Sequence, residues 1–192
     1  MNHTDNIANL ELENLTIQTA PEITKQILES AQKGLGFIPN MYAQMGHNPA
    51  LLDSYFYSYN SFRTLSGFTP VEQEVIFLSV AYEINCEYCV AAHSFIADKM
   101  SKVPEDITDA IRQGSEISDT KLAALSTLTR SLTRNRGIVS QEEVNDFLSV
   151  GYTKNHVLGV IAGIAVKTMS NYSNHITHPE LDEAFEGRVW EK

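Results

Sequence analysis

Helix punctuation recurs along this chain and leaves little room for strands. Thr69-Pro70-Val71-Glu72 is a helix start. It offers a threonine to cap, a proline suited to the first turn and a glutamate to close a capping box. Ser140-Gln141-Glu142-Glu143 repeats the device, and Asp119 can cap a third helix. Gly34, Gly36, Gly114, Gly137 and Gly151 mark helix ends. Between these signals, apolar residues recur at three and four positions, as in Leu51, Leu52, Tyr55, Phe56, Tyr59 and Phe62. The spacing predicts helices over residues 22–33, 40–47, 50–65, 70 to near 85, the cysteines to about 100, 104–113, 120–135, 141–150 and 153–174. Few segments alternate and no short-period repeat is present. The fold class is therefore all-α: one multi-helical domain over residues 20–192, behind a polar, flexible lead-in over residues 1–19.

Composition narrows the function. The chain has 192 residues, 43% of them hydrophobic, enough for one proper core. Acidic residues outnumber basic ones by 24 to 14, a net charge of −10. Such a surface repels a phosphate backbone and anionic lipid, so neither nucleic acid nor membrane is an expected partner. The longest apolar run, residues 157–166, is too short to span a bilayer. The first 19 residues lack a basic stretch followed by an apolar run, which predicts a cytoplasmic protein.

The chemistry concentrates in Cys86-Glu87-Tyr88-Cys89-Val90-Ala91-Ala92-His93, which holds both cysteines of the chain. On a helix, residues three apart lie roughly 5 Å apart, within reach of a disulfide. A first-turn position favours thiolate through free N–H groups and the helix dipole. His93 lies one turn beyond Cys89, where an imidazole can manage thiol protons. Glu74, 12 residues before Cys86, approaches the thiols if the two helices form a hairpin; Glu72 and Glu83 are rival carboxylates. The same residues admit other readings. Cys86, Cys89 and His93, with Glu74 as a fourth ligand, also make a zinc set. A non-enzymatic, redox-sensing oligomer and a pair of buried structural thiols are two more.

Glu74 followed by Cys86-x-x-Cys89-x-x-x-His93 resembles the core motif of the AhpD-like, carboxymuconolactone decarboxylase superfamily. The likeness is close over residues 68–100 and looser over 20–178. It implies an all-α fold, a homo-oligomer (dimer, trimer or hexamer) and thiol-dependent peroxidase activity with no cofactor. It also implies roles. Cys89 attacks the hydroperoxide, Cys86 resolves the sulfenic acid as a disulfide, and Glu74 and His93 relay protons. The reductant would be a dithiol donor of lipoyl or thioredoxin type. Tyr88 stands where the best-known peroxidases carry a histidine, and a phenol there can still hydrogen-bond. The decarboxylase branch typically lacks the cysteine pair, so the pair argues for redox chemistry.

Elsewhere the reading is structural. Gly159 and Gly163 lie one turn apart and permit close helix approach. Tyr55, Phe56, Tyr57, Tyr59 and Phe62 are expected in the core or a subunit interface. Asn171, Asn174, His175 and His178 read as a solvated helix end, and residues 180–186 as a solvated acidic surface.

Overall fold

The computed structural model describes residues 7–192, and every regular element in that span is helical. In chain order they are α1 (Glu22–Leu35), α2 (Asn40–Met45), α3 (Pro49–Leu65), α4 (Pro70–Ile84), α5 (Glu87–Ile96), α6 (Glu105–Gln113), α7 (Thr120–Arg134), α8 (Gln141–Ser149) and α9 (Lys154–Thr177). A π-helical turn, Ala97–Ser101, extends α5, and a 3-10 turn, Glu183–Arg188, lies near the C-terminus. The starts fall where the capping residues stand. Thr69 and Glu72 form the expected reciprocal box on α4, Ser140 and Glu143 form it on α8, and Asp119 accepts from Leu122 N on α7. Each such cap is worth about 1 kcal/mol.

α4 is the axis of the fold. Val75, Ile76, Phe77, Leu78, Val80 and Ala81 are all fully buried, so the middle of this helix is enclosed on every side. It packs against α5, α6, α7 and α9. α9 lies close because two glycines let it. A Cβ on Gly163 would sit 2.7 Å from Ile76 Cγ2, and one on Gly159 would sit 2.9 Å from Phe68 Cε2. Four residues beyond Gly163, the same stripe of α9 presents Lys167 to the interior, 1% exposed. Close approach of α9 therefore delivers a cation to the core.

Both ends of the chain pack onto this bundle. Of the lead-in expected over residues 1–19, residues 1–6 lie outside the described span. Residues 7–19 run largely without regular structure against the bundle, with Leu10 N donating to Ile176 O at 3.0 Å. The acidic segment expected at the surface is instead half interior. Asp182 and Phe185 are buried, and Phe185 packs against Phe37, Tyr88 and Phe95. Its charges misled the reading because two apolar anchors, Leu181 and Phe185, are set among them. Arg188 then pairs with Asp98 at 3.0 Å and Asp109 at 2.7 Å, holding the segment down.

Candidate active site

The two thiols are placed by a single residue in the left-handed conformation. Asn85 closes α4 with φ 65°, a geometry asparagine tolerates better than most side chains. The chain reverses there, Cys86 becomes the residue that precedes α5, and α5 folds back along α4. That reversal brings Glu74 beside His93. His93 Nδ1 donates to Glu74 Oε2 at 2.8 Å. The other carboxylate oxygen pairs with Arg63 Nη2 of α3. On its far side, His93 Nε2 accepts from Lys167 Nζ at 2.9 Å. Two fixed partners define the neutral Nδ1–H tautomer.

Lys167 and Cys86 both act on Cys89 and lower its proton affinity. Ser170 Oγ lies 3.9 Å from Cys89 Sγ, and Asn174 Nδ2 lies 3.3 Å from Cys89 Sγ and 3.6 Å from Cys86 Sγ. A continuous chain of contacts thus runs Arg63, Glu74, His93, Lys167, and the charge at its end acts on Cys89 and Cys86. The Phe77 ring insulates it, with the Arg63 guanidinium 4.8 Å and Lys167 Nζ 5.6 Å from its centroid.

Each proton affinity follows from this order. Burial would raise the Cys89 thiol, but the Cys86 hydrogen bond, the Lys167 ammonium and Ser170 outweigh it and bring Cys89 down to about 6. Cys86 is pushed well above the ordinary thiol range by its bond to Cys89 and by burial, so it stays a thiol and donates. Burial and Lys167 lower His93 to about 4 despite Glu74. The His93–Glu74 contact is therefore a hydrogen bond to a neutral imidazole. Burial works to raise Glu74, yet His93 and Arg63 hold it below the ordinary carboxylate range.

The structure thus brings four of the five sequence-nominated residues together: Cys86, Cys89, His93 and Glu74. Their order carries one surprise. His93 meets Lys167 rather than sulfur. Tyr88 turns away and gives its hydroxyl proton to Asp182. Burial and that carboxylate raise Tyr88 well above the usual phenol range, so it remains a phenol. The rival carboxylates go elsewhere: Glu72 to Lys121 and Tyr152, Glu83 to Arg130 and Arg134. The zinc set does not assemble. Among the described residues no three His, Cys, Asp or Glu side chains are grouped to hold a metal, and an ammonium occupies the outer nitrogen of His93.

Sequence reasoning missed Arg63, Lys167, Ser170 and Asp182, and misjudged Asn174. Asn171 and Asn174 are buried rather than solvated. A signal was present: Gly159, Gly163, Lys167, Asn171 and Asn174 recur every four or three residues, so the glycine stripe and the polar residues share one face. The aromatic run divides. Tyr55 and Phe62 are buried, Tyr57 is 74% exposed, and Tyr55, Phe56 and Tyr59 line a cavity. Both sulfurs belong to residues only 1% exposed, but an open basin of about 590 Å³ reaches Cys86.

Comparison with known proteins places this geometry. The carboxymuconolactone decarboxylase family profile matches residues 52–129, which include Glu74, both cysteines and His93. No curated protein matches the chain in sequence. Among solved structures, an alkylhydroperoxidase AhpD core protein, an uncharacterised peroxidase-related protein from Ralstonia eutropha JMP134, superposes with a TM-score of 0.81 at 20% identity, covering 97% of this chain and 99% of the other. A peroxidase-related protein from Silicibacter sp. TM1040 gives 0.77 at 19% identity, with 98% of each chain covered. The debrominase Bmp8, solved with 2,3,4-tribromopyrrole, gives 0.77 at 17% identity, covering 95% and 97%. At these identities the structures speak for the fold. Over residues 52–129 the chain is thus similar to the carboxymuconolactone decarboxylase family, and its fold is the one those AhpD-like structures share.

Proposed function

We propose that the protein is a thiol-dependent peroxidase that reduces hydroperoxides through a Cys86–Cys89 disulfide cycle. One observation carries the reading: the buried charges balance only when Cys89 is a thiolate. Arg63 and Lys167 are positive and Glu74 is negative, and among the described residues no other carboxylate pairs with Lys167. An uncompensated buried charge is costly, so the interior favours a second anion, and the group beside Lys167 is Cys89. With its pKa near 6, about nine-tenths of Cys89 is thiolate at pH 7.

The chemistry follows in balanced steps. The Cys89 thiolate attacks the terminal oxygen of R–O–O–H. The S–O bond forms, the O–O bond breaks, and the hydroxyl stays on sulfur as sulfenic acid. The departing alkoxide takes a proton from Lys167, which His93 and Glu74 hold in line. Arg63 and Glu74 then still cancel, so the site is neutral before and after. Cys86 attacks the sulfenic sulfur and water leaves, giving the disulfide. A dithiol of lipoyl or thioredoxin type restores both thiols by exchange, and the proton released returns to Lys167. The basin at Cys86 is the open approach for that donor.

Cytoplasm, where thiols stay reduced, suits such a cycle, and among the described residues no helix is long and apolar enough to cross a membrane. A homo-oligomer belongs to the same reading: Leu158, Ile161 and Tyr172 stand exposed along the outer face of α9.

Stopped-flow oxidation of the reduced protein by hydrogen peroxide, followed by mass spectrometry of the Cys86–Cys89 peptide, tests the proposal. Cys89→Ser is expected to abolish peroxide consumption, and Cys86→Ser to leave a trapped sulfenic acid. Full activity in Cys89→Ser would overturn the assignment. Bromide release from a bromopyrrole without peroxide consumption would replace the O–O bond by a carbon–halogen bond as the electrophile.

A further inference from the structure

A cavity of about 280 Å³ opens on the His93 side of the site. Tyr88, Ala92 and His93 of α5 border it below, and Tyr42, Tyr55 and Phe56 form an aromatic wall. Ala92 and His93 stand three and four residues beyond Cys89, so the cavity lies over the helix face that carries the thiolate. It is distinct from the basin at Cys86, and Tyr88 is the one residue that borders both. The two halves of a dithiol cycle thus have separate approaches.

The walls specify a ligand. Tyr42 meets Tyr55 at 5.7 Å and 77°, and Phe56 at 6.5 Å and 89°, both edge-to-face. A further ring entering the cavity extends the same packing, a preference that adds to area burial. Volume sets the size. About 280 Å³ lies just below the roughly 300 Å³ at which pockets for drug-sized ligands begin. One ring with a short branch fits that space; a long acyl chain does not.

Resting on the hydroperoxide reading above, we propose that this cavity is the substrate site and that it takes a compact monoaromatic hydroperoxide. Cumene hydroperoxide is the probe. Its ring packs among Tyr42, Tyr55 and Phe56, and its slender –O–OH group passes by Ala92 to Cys89. Sulfur bonds to the terminal oxygen, the O–O bond breaks, and the aralkyl alkoxide takes the Lys167 proton and departs as 2-phenylpropan-2-ol. A dithiol supplies the two electrons from the Cys86 side.

The test compares oxidation rates of the reduced protein by cumene, tert-butyl and hydrogen peroxides. The cumene compound is expected to react about tenfold faster than the tert-butyl one, in line with an aromatic contact. Ala92→Phe fills the cavity and should bring that ratio close to one. Gly34→Leu is the second variant: Gly34 borders the cavity, and an added Cβ there would meet nothing within 4 Å. It narrows the opening without disturbing the packing and should lower the same ratio. In parallel, saturation-transfer NMR follows 2-phenylpropan-2-ol binding to Cys89→Ser protein, and Ala92→Phe in that background should erase the signal. A ratio near one in the unaltered protein with no saturation transfer overturns the cavity assignment and leaves the peroxidase reading standing. Saturation transfer that Ala92→Phe erases, with no hydroperoxide consumed, overturns the peroxide chemistry and leaves an aryl-binding cavity.

Discussion

α4 carries three glutamates, and their surroundings differ sharply. Glu72 caps its own helix, accepts from Lys121 and Tyr152 at 3.0 Å, and ends at water, since the Lys121 side chain is 49% exposed. Glu83 pairs with Arg130 at 3.1 Å and Arg134 at 2.8 Å, the latter 58% exposed. Glu74 is fully buried, and its partners lead inward through His93 and Lys167 to the thiols. All three carboxyls are held below the ordinary range against burial. The shift alone does not separate them. Connectivity does: two of these ion pairs fasten helices, and the third joins His93 and Lys167 in the interior beside the cysteine pair.

Substitution at the three positions would break or sharpen that contrast. The largest effect is expected for Glu74→Gln. It leaves Arg63 without its counter-charge in a largely buried setting, and loss of one partner there costs about 3–5 kcal/mol. Urea denaturation would measure it, and the rate of sulfenic acid formation should fall by about tenfold or more as the relay loosens.

Lys167→Met comes next. Removing the ammonium lets the Cys89 pKa rise from about 6 towards the ordinary thiol value of roughly 8.5. Peroxide oxidation at pH 7 should drop by about tenfold and recover as pH rises towards 9. A pH–rate profile identical to that of the unaltered protein would sever Lys167 from the site.

Acid stability sharpens the comparison further. His93 is held near 4 in the fold and titrates near 6.5 when unfolded. The unfolded chain therefore binds the extra proton first, and stability falls as pH drops from about 6.5 to about 4. In His93→Gln this part of the urea-midpoint curve between pH 7 and pH 4.5 should flatten.

The smallest effects belong to the other two glutamates. Glu72→Gln should cost about 1 kcal/mol through its cap and cation, and Glu83→Gln between 0 and about 1 kcal/mol because its pairs are solvent-screened. Neither should change the peroxide rate by as much as twofold, about 0.4 kcal/mol of barrier.

Much of this was legible in one dimension. Thr69, Ser140 and Asp119 announced their helices because a cap is a local hydrogen bond between near neighbours. Cys86 precedes α5 and Cys89 and His93 lie on its first two turns, so their spacing in sequence is their spacing in space. Glu74 needed the superfamily likeness, because its approach depends on how α4 and α5 fold back at Asn85. Tyr88 was visible but its direction was not, since its partner Asp182 lies 94 residues away.

The sequence by itself determined the helical architecture and the identity of the sulfur pair, since both arise from contacts within a few residues. Only the tertiary structure decided which charges meet at that pair. Arg63 comes from α3, Lys167 from α9 and Asp182 from the C-terminal segment. Each looks like an ordinary polar residue until helix packing takes it out of water. Burial then makes every charge demand a partner, and that demand lowers the proton affinity of Cys89 while Cys86 holds its proton more tightly.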